Sequence, residues 1–227
     1  MIFNDKITRL VEIFITSFFP LFKGFLTYTI PLTIISFGLG IILALFVALA
    51  RISKFKLLSH IAAFYVWIIR GTPLLVQLFI IFYGLPSAGI VLDPLVAGVI
   101  GFTLNVGAYN SEVMRAAILS IPKGQWEAAY SIGMSDVQAL KRIILPQAAR
   151  VSIPPLSNSF ISLVKDTSLA ASITVTEMFQ VAQRITARTY EPLLLYSEVA
   201  IIYLMFCTIL TLLQSKIERL LERYVAK

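Results

Sequence analysis

A chain of 227 residues that is 58% hydrophobic, 14% charged and of mean hydropathy +0.87 carries more apolar surface than one soluble core can bury, so lipid has to take up the excess. The net charge of +7 could suggest nucleic acid, but the basic residues cluster in the segments between apolar runs, the bias that orients membrane proteins. A lone Cys207 and a lone His60 exclude an intramolecular disulfide, a thiolate cluster and a histidine-paired metal site.

In chain order, residues 1–23 mix charge with Phe and Ile and lack a small-residue cleavage site, so they read as an amphipathic lead-in on the outer surface. The runs Gly24–Ala50, Gly71–Leu92 and Pro94–Ser111 contain no Asp, Glu, Lys or Arg. Each reaches or approaches the roughly 20 apolar residues that cross a bilayer as helix. Val151–Val164 continues as Thr167–Thr176, interrupted only by Lys165 and Asp166. Pro192–Ser197 joins Val199–Ser215 across Glu198. The expectation is an all-α membrane protein of about five transmembrane helices, folded as one transmembrane domain over residues 1–227.

Orientation comes from charge. With the segment after the first span in the cytoplasm, that side holds Arg51, Lys54, Lys56, Arg115, Lys123, Lys141, Arg142, Arg150, Lys216, Arg219, Arg223 and Lys227. The opposite side holds Lys6, Arg9, Lys23, Arg184 and Arg188. This asymmetry places the N-terminus outside and the C-terminus in the cytoplasm. A short Gly/Pro-marked turn, Pro86 to Pro94, links spans two and three, whereas the polar stretch 112–150 between spans three and four is long enough for a soluble partner to touch.

Within that stretch stand Glu127, Ala128, Ala129, Tyr130, Ser131, Ile132 and Gly133, then Ile143, Ile144, Leu145 and Pro146. Physically these are two short helices. Gly133 suits a left-handed stop after the first, and Ser135 with Gln138 makes a capping box that starts the second. Val137, Leu140 and Ile144 then share an anchoring face. Ala128 and Ala129 leave a low-relief surface that another protein can approach.

The spacing Glu-Ala-Ala, three residues, Gly, nine residues, Ile, one residue, Leu-Pro resembles the EAA motif of importer-type ABC transporter permeases, and every position matches. The resemblance implies the type I ABC importer permease fold. It also implies that Glu127, Ala128, Ala129, Gly133, Ile143, Leu145 and Pro146 belong to a cytoplasmic coupling helix seated in a cleft of an ATPase subunit. Arg70 to Gln77, with Gly71 and Pro73, and Val164 to Leu169 resemble segments of the polar amino-acid uptake group. The stretch Thr174 to Pro192, which contains Ala187, Arg188, Thr189, Tyr190, Glu191 and Pro192, looks most like members that import L-cystine. Such proteins work with two ABC ATPase subunits, a second permease copy or a sibling permease, and an extracellular or periplasmic solute-binding protein. The implied partners are thus those proteins, an amino-acid substrate and membrane lipid, with no nucleic acid.

Charges in or beside the spans leave alternatives open. Gly71 and Pro73 break a helix after Arg70, so span two is discontinuous or begins with an interfacial segment, and Arg70 either snorkels at the boundary or touches substrate. A lone charge mid-membrane costs about 2.5 to 3.5 kcal/mol, so Lys165 and Asp166 are paired or wet. An ion pair and a contact with the α-amino and α-carboxylate groups of an amino acid both satisfy that requirement. Asn105, Tyr109, Asn158, Ser159 and Ser162 serve interhelical hydrogen bonds or the same substrate path. No Gly-x-x-x-x-Gly-Lys-Ser/Thr occurs, so this chain has no such loop for ATP, and ATP with Mg is expected on the partner ATPase. The competing readings are an ion-gradient-driven secondary amino-acid transporter and a non-transporting membrane scaffold.

Overall fold

The computed structural model describes residues 2–222, with side chains over 6–220, so Arg223 and Lys227 of the charge count lie outside the described residues. Every regular element among them is helical. Contacts gather into two compact units, one of Met1–Ser36, Leu74–Gly101 and Ile161–Leu212, the other of Phe37–Pro73, Phe102–Phe160 and Leu213–Lys227.

Helix α1 (Ile2–Gly24) passes through a π-helical turn, Phe25–Thr29, into α2 (Ile30–Ile52). The amphipathic lead-in is therefore no separate element. It continues into the first span as one helix over Lys6–Ile52, about 70 Å at 1.5 Å per residue and roughly twice a hydrocarbon core.

The second span breaks where the sequence places the break. Helix α3 (Lys56–Gly71) ends at Thr72, whose φ of −122° and ψ of 146° are the extended geometry forced on a residue before proline. The chain then turns by 103° into α4 (Leu74–Phe79). Ala62 and Val66 of α3 are buried beside Val47, while Leu57, Ile61, Phe64 and Trp67 face outward. A π-helical turn, Ile80–Gly84, and a 3-10 turn, Leu85–Ala88, carry the chain to Gly89, whose φ of 81° reverses it toward Pro94.

Helix α5 (Pro94–Ser120) runs on past Ser111, so the first part of the polar stretch 112–150 is helix rather than loop. Next come α6 (Lys123–Ser131), α7 (Asp136–Ala139), a π-helical turn at Leu140–Ile144, and α8 (Leu145–Asp166). A 3-10 segment, Thr167–Ile173, precedes α9 (Met178–Thr189), and α10 (Pro192–Glu222) closes the described chain.

Lys6–Ile52 and Pro192–Leu220 are long and apolar enough to cross a membrane by themselves, and the broken pair α3 and α4 qualifies if taken as one span. Helices α5 and α8 match spans three and four in position, but Asn105 and Asn110 in one and Pro154, Pro155 and Asn158 in the other dilute their apolarity. Such residues are at home in helices that pack on protein rather than lipid.

In the first unit α9 packs on α1. Gly24 permits the approach, because a Cβ there would lie 3.1 Å from Val181 and 3.3 Å from the Met178 backbone.

Candidate functional site

Helix α6 begins after Pro122 and ends in a left-handed stop. Gly133 has φ +79°, its N–H donates to Tyr130 O at 2.9 Å, and the Met134 N–H donates to Ala129 O at 3.1 Å. This pair of bonds satisfies the last carbonyls of the helix. Ser135 Oγ then accepts from the Gln138 N–H at 3.4 Å while Gln138 Oε1 accepts from the Ser135 N–H at 3.0 Å, the reciprocal cap that the spacing predicts. The second short helix is not an isolated piece, however. Its cap at Ser135 starts a helical run that continues through the π-turn into α8.

The two alanines face opposite ways. Ala128 and Glu127 are exposed, and Ala129 is buried at 3%. Ile144 is fully buried with Ala117, Ile118 and Ile121, and Trp126, Leu140, Ile143 and Leu145 pack on that cluster. Val137 does not share the anchoring face as expected from periodicity, being 71% exposed. The motif residues Ile143 and Leu145 thus tie the knob to the end of α5. Pro146 lacks an N–H to return to the preceding turn, and the widened π-turn lies directly before it.

Polar contacts fix the rim of the knob. Glu112 accepts from Arg115 Nη2 at 2.8 Å and from Arg51 Nε at 3.3 Å, all three side chains half-buried. Lys54 Nζ donates to Asp136 Oδ2 at 2.7 Å, and this bond with that from Tyr130 holds the Asp136 carboxyl below its ordinary range. Both partners are exposed, so water screens the pair and it adds little stability. Beside it runs an open groove of about 610 Å³ lined by Trp126, Tyr130, Val137 and Leu140.

The residues expected near substrate fall into two groups. Arg70, exposed at the end of α3, places its guanidinium 5.3 Å from the centroid of the Tyr109 ring, a cation–π contact. Asn105 and Ser159 are half-buried, and Asn158 Oδ1 accepts from Gln214 Nε2 at 3.0 Å. Asn158, Ser162, Lys165 and Asp166 recur at helical spacing along α8 and all are exposed in the single chain. Among the described residues no salt bridge within 4.0 Å reaches Lys165 or Asp166, although the two charges act on each other electrostatically.

Sequence reasoning missed a buried polar cluster in the first unit. Glu177, fully buried, caps α9 by accepting from the Gln180 N–H at 2.7 Å and also accepts from Tyr203 Oη at 3.3 Å. Burial raises its carboxyl to about 7, against the opposing hydrogen bonds. Ser17 Oγ donates to the buried Glu198 at 2.6 Å. A carboxylate within or beside an apolar run was the available signal, but only packing shows that both are enclosed.

Residues 36–223 match the family described as the inner membrane component of binding-protein-dependent transport systems. The chain is 60% identical over 212 residues to the L-cystine transport system permease protein TcyB of Bacillus subtilis, covering 93% of this chain and 91% of that one. It is 42% identical to the probable amino-acid ABC transporter permease protein YckA of the same organism, covering 99% and 96%. Among solved structures, a chain of an amino acid ABC transporter superposes with a TM-score of 0.82 at 33% identity, covering 94% of this chain and 96% of that one.

Proposed function

Because the chain belongs to the family of inner membrane components of binding-protein-dependent transport systems, and is a transport subunit of an ABC importer rather than its ATPase, we propose that it is the permease of an importer for polar amino acids, L-cystine foremost. The similarity to an L-cystine permease over most of both chains supports the substrate. The knob around α6 carries the mechanism. Its exposed Glu127 and Ala128 offer a flat surface to a partner, while Ala129 and the Ile144 cluster transmit displacement to α5 and α8 without slack.

In this reading two ATPase subunits, each with ATP and Mg, grip two such knobs, one on this chain and one on a second copy or a sibling permease. Closure of the ATPases moves α6, and α5 and α8 reorient around a path lined by the stripe from Asn158 to Asp166. The paired copy and a water-filled path supply the polar surroundings of Ser162, Lys165 and Asp166, which are exposed in the single chain. An extracytoplasmic solute-binding protein delivers the amino acid, with the N-terminus on its side of the membrane and α6 in the cytoplasm.

Reconstitution in vesicles tests the proposal. L-cystine uptake is expected to require internal ATP, a partner ATPase and an external binding protein. Uptake driven by an ion gradient without ATP would overturn it.

A further inference from the structure

Two recesses follow one another along a single face of α2, where Leu45, Leu49 and Ile52 recur at helical spacing. Leu45 borders an open cleft of about 280 Å³ between α2, α5 and α8. Leu49 and Ile52 border the groove of about 610 Å³ beside α6. Members of the Ile144 cluster wall both, Ile118 and Ala148 in the cleft and Leu49, Ile52, Trp126 and Leu140 in the groove.

The two recesses differ in chemistry. Leu45, Met114, Ile118, Leu145, Ile153 and Leu156 make the cleft a hydrocarbon surface, and the small Ala148 and Ala149 leave its space open. Ser152, the hydroxyl in its wall, donates to Ala149 O at 3.0 Å, so that proton is not offered to a polar guest. Phe46 and Leu119, each next in sequence to a wall residue, are 66% and 60% exposed, as befits a surface turned to lipid. Asn158, two residues past Leu156, lies on another side of α8 and meets Gln214 of α10 there. The groove is cationic and aromatic instead. Lys54 Nζ donates to Asp136 and keeps two further N–H donors. Lys123 shares the α6 face of Trp126 and Tyr130, is exposed, and has no salt bridge within 4.0 Å among the described residues.

Water does not settle in an apolar cleft, and an empty cleft forfeits the contacts of its lining. A hydrocarbon recess that leads to lysines beside Trp and Tyr has the polarity profile of a membrane leaflet from its acyl region to its headgroups.

We propose that the paired recesses bind one anionic phospholipid from the leaflet next to α6, an acyl chain filling the cleft and the phosphate held by Lys54 and Lys123. The chain then touches Ile118, Leu145 and Ala148, residues that also seat the knob. The lipid thereby joins the packing that holds α6 to α5 and α8. This site does not depend on the transport reading.

The full-length chain in neutral detergent, titrated with phosphatidylglycerol, provides the test. Thermal unfolding and native mass spectrometry of the retained phospholipid are read together. The midpoint is expected to rise saturably by about 3 to 5 °C as a single lipid is retained per chain. Phosphatidylcholine with the same acyl chains should need about tenfold more for half that rise. Ala149→Trp, whose ring occupies the cleft, should abolish both the rise and the retained lipid while its lipid-free midpoint stays within about 2 °C of wild type. The milder Ala149→Leu should raise the half-saturating concentration about threefold or more. Lys54→Ala combined with Lys123→Ala should raise it about tenfold without moving the lipid-free midpoint.

A rise that persists in Ala149→Trp, or one that phosphatidylcholine matches at equal concentration, overturns the site. Disulfide crosslinking of two copies through Ala149→Cys, in a Cys207→Ser background, also overturns it and gives the cleft to a second copy of the chain.

Discussion

Helices α6 and α9 are both short connectors between spans, and they are held in opposite ways. Helix α6 sits on apolar anchors, the buried Ala129 and the Ile144 cluster, and its polar bonds lie at an exposed rim. Helix α9 is capped by a buried carboxylate, Glu177, that also accepts from Tyr203. Apolar anchoring at interior packing density moves as one body with what it touches, and because burial is non-directional it fixes no particular orientation. A buried carboxylate holds one geometry and penalises departure from it. The contrast suits a knob that moves with a motor and a cap that stays in register with its own spans.

The contrast can be broken most sharply at Ala129. Ala129→Asp buries an unpaired charge against the chain's own core, so the variant should lose several kcal/mol and fail to assemble with an ATPase. Ala128→Asp, on the exposed side, should keep the thermal midpoint of wild type and lose coupled hydrolysis. Thermal unfolding in detergent alongside ATPase pull-down separates the two. Equal destabilisation by both would refute the opposed facing of the two alanines.

Glu177 comes next. Its folded carboxyl lies at about 7 against an ordinary value of 4.5, so the folded state holds a proton that the unfolded chain has released. Stability is therefore full below about pH 4.5 and falls as pH rises to about 7, by about 3 kcal/mol over that window. Glu177→Gln should flatten this dependence and raise the midpoint at pH 8 relative to wild type. A wild-type midpoint that does not fall between pH 5 and 8 would remove the charge-based account of α9.

Gly133→Ala should cost about 1 kcal/mol, since the space around a Cβ is open and only the left-handed backbone resists. Its thermal midpoint checks this, and a neutral result would mean that the turn relaxes. The smallest effect belongs to Lys54→Ala, which should leave the midpoint unchanged because the pair with Asp136 is exposed and screened.

Much of this protein is legible in one dimension because its causes are local. A charge-free apolar run such as Gly24–Ala50 lies in a helix long and apolar enough to cross lipid, Gly71 and Pro73 break a helix, Gly133 permits a left-handed stop, and Ser135 with Gln138 caps the next helix. The family motif marks the knob for the same reason, its spacing being that of one turn and one packed helix. Features that depend on distant partners are not legible in this way. Periodicity places Val137 inward and the structure turns it out, because the element it belongs to merges into α8 and its buried side is set by α5. Whether Ala128 or Ala129 is covered, whether Lys165 meets Asp166, and that Glu177 lies against Tyr203 and α1 lies along α9 are decided by segments far apart in sequence. Burial and pairing are properties of the assembled contacts, and only the tertiary structure brings those contacts together.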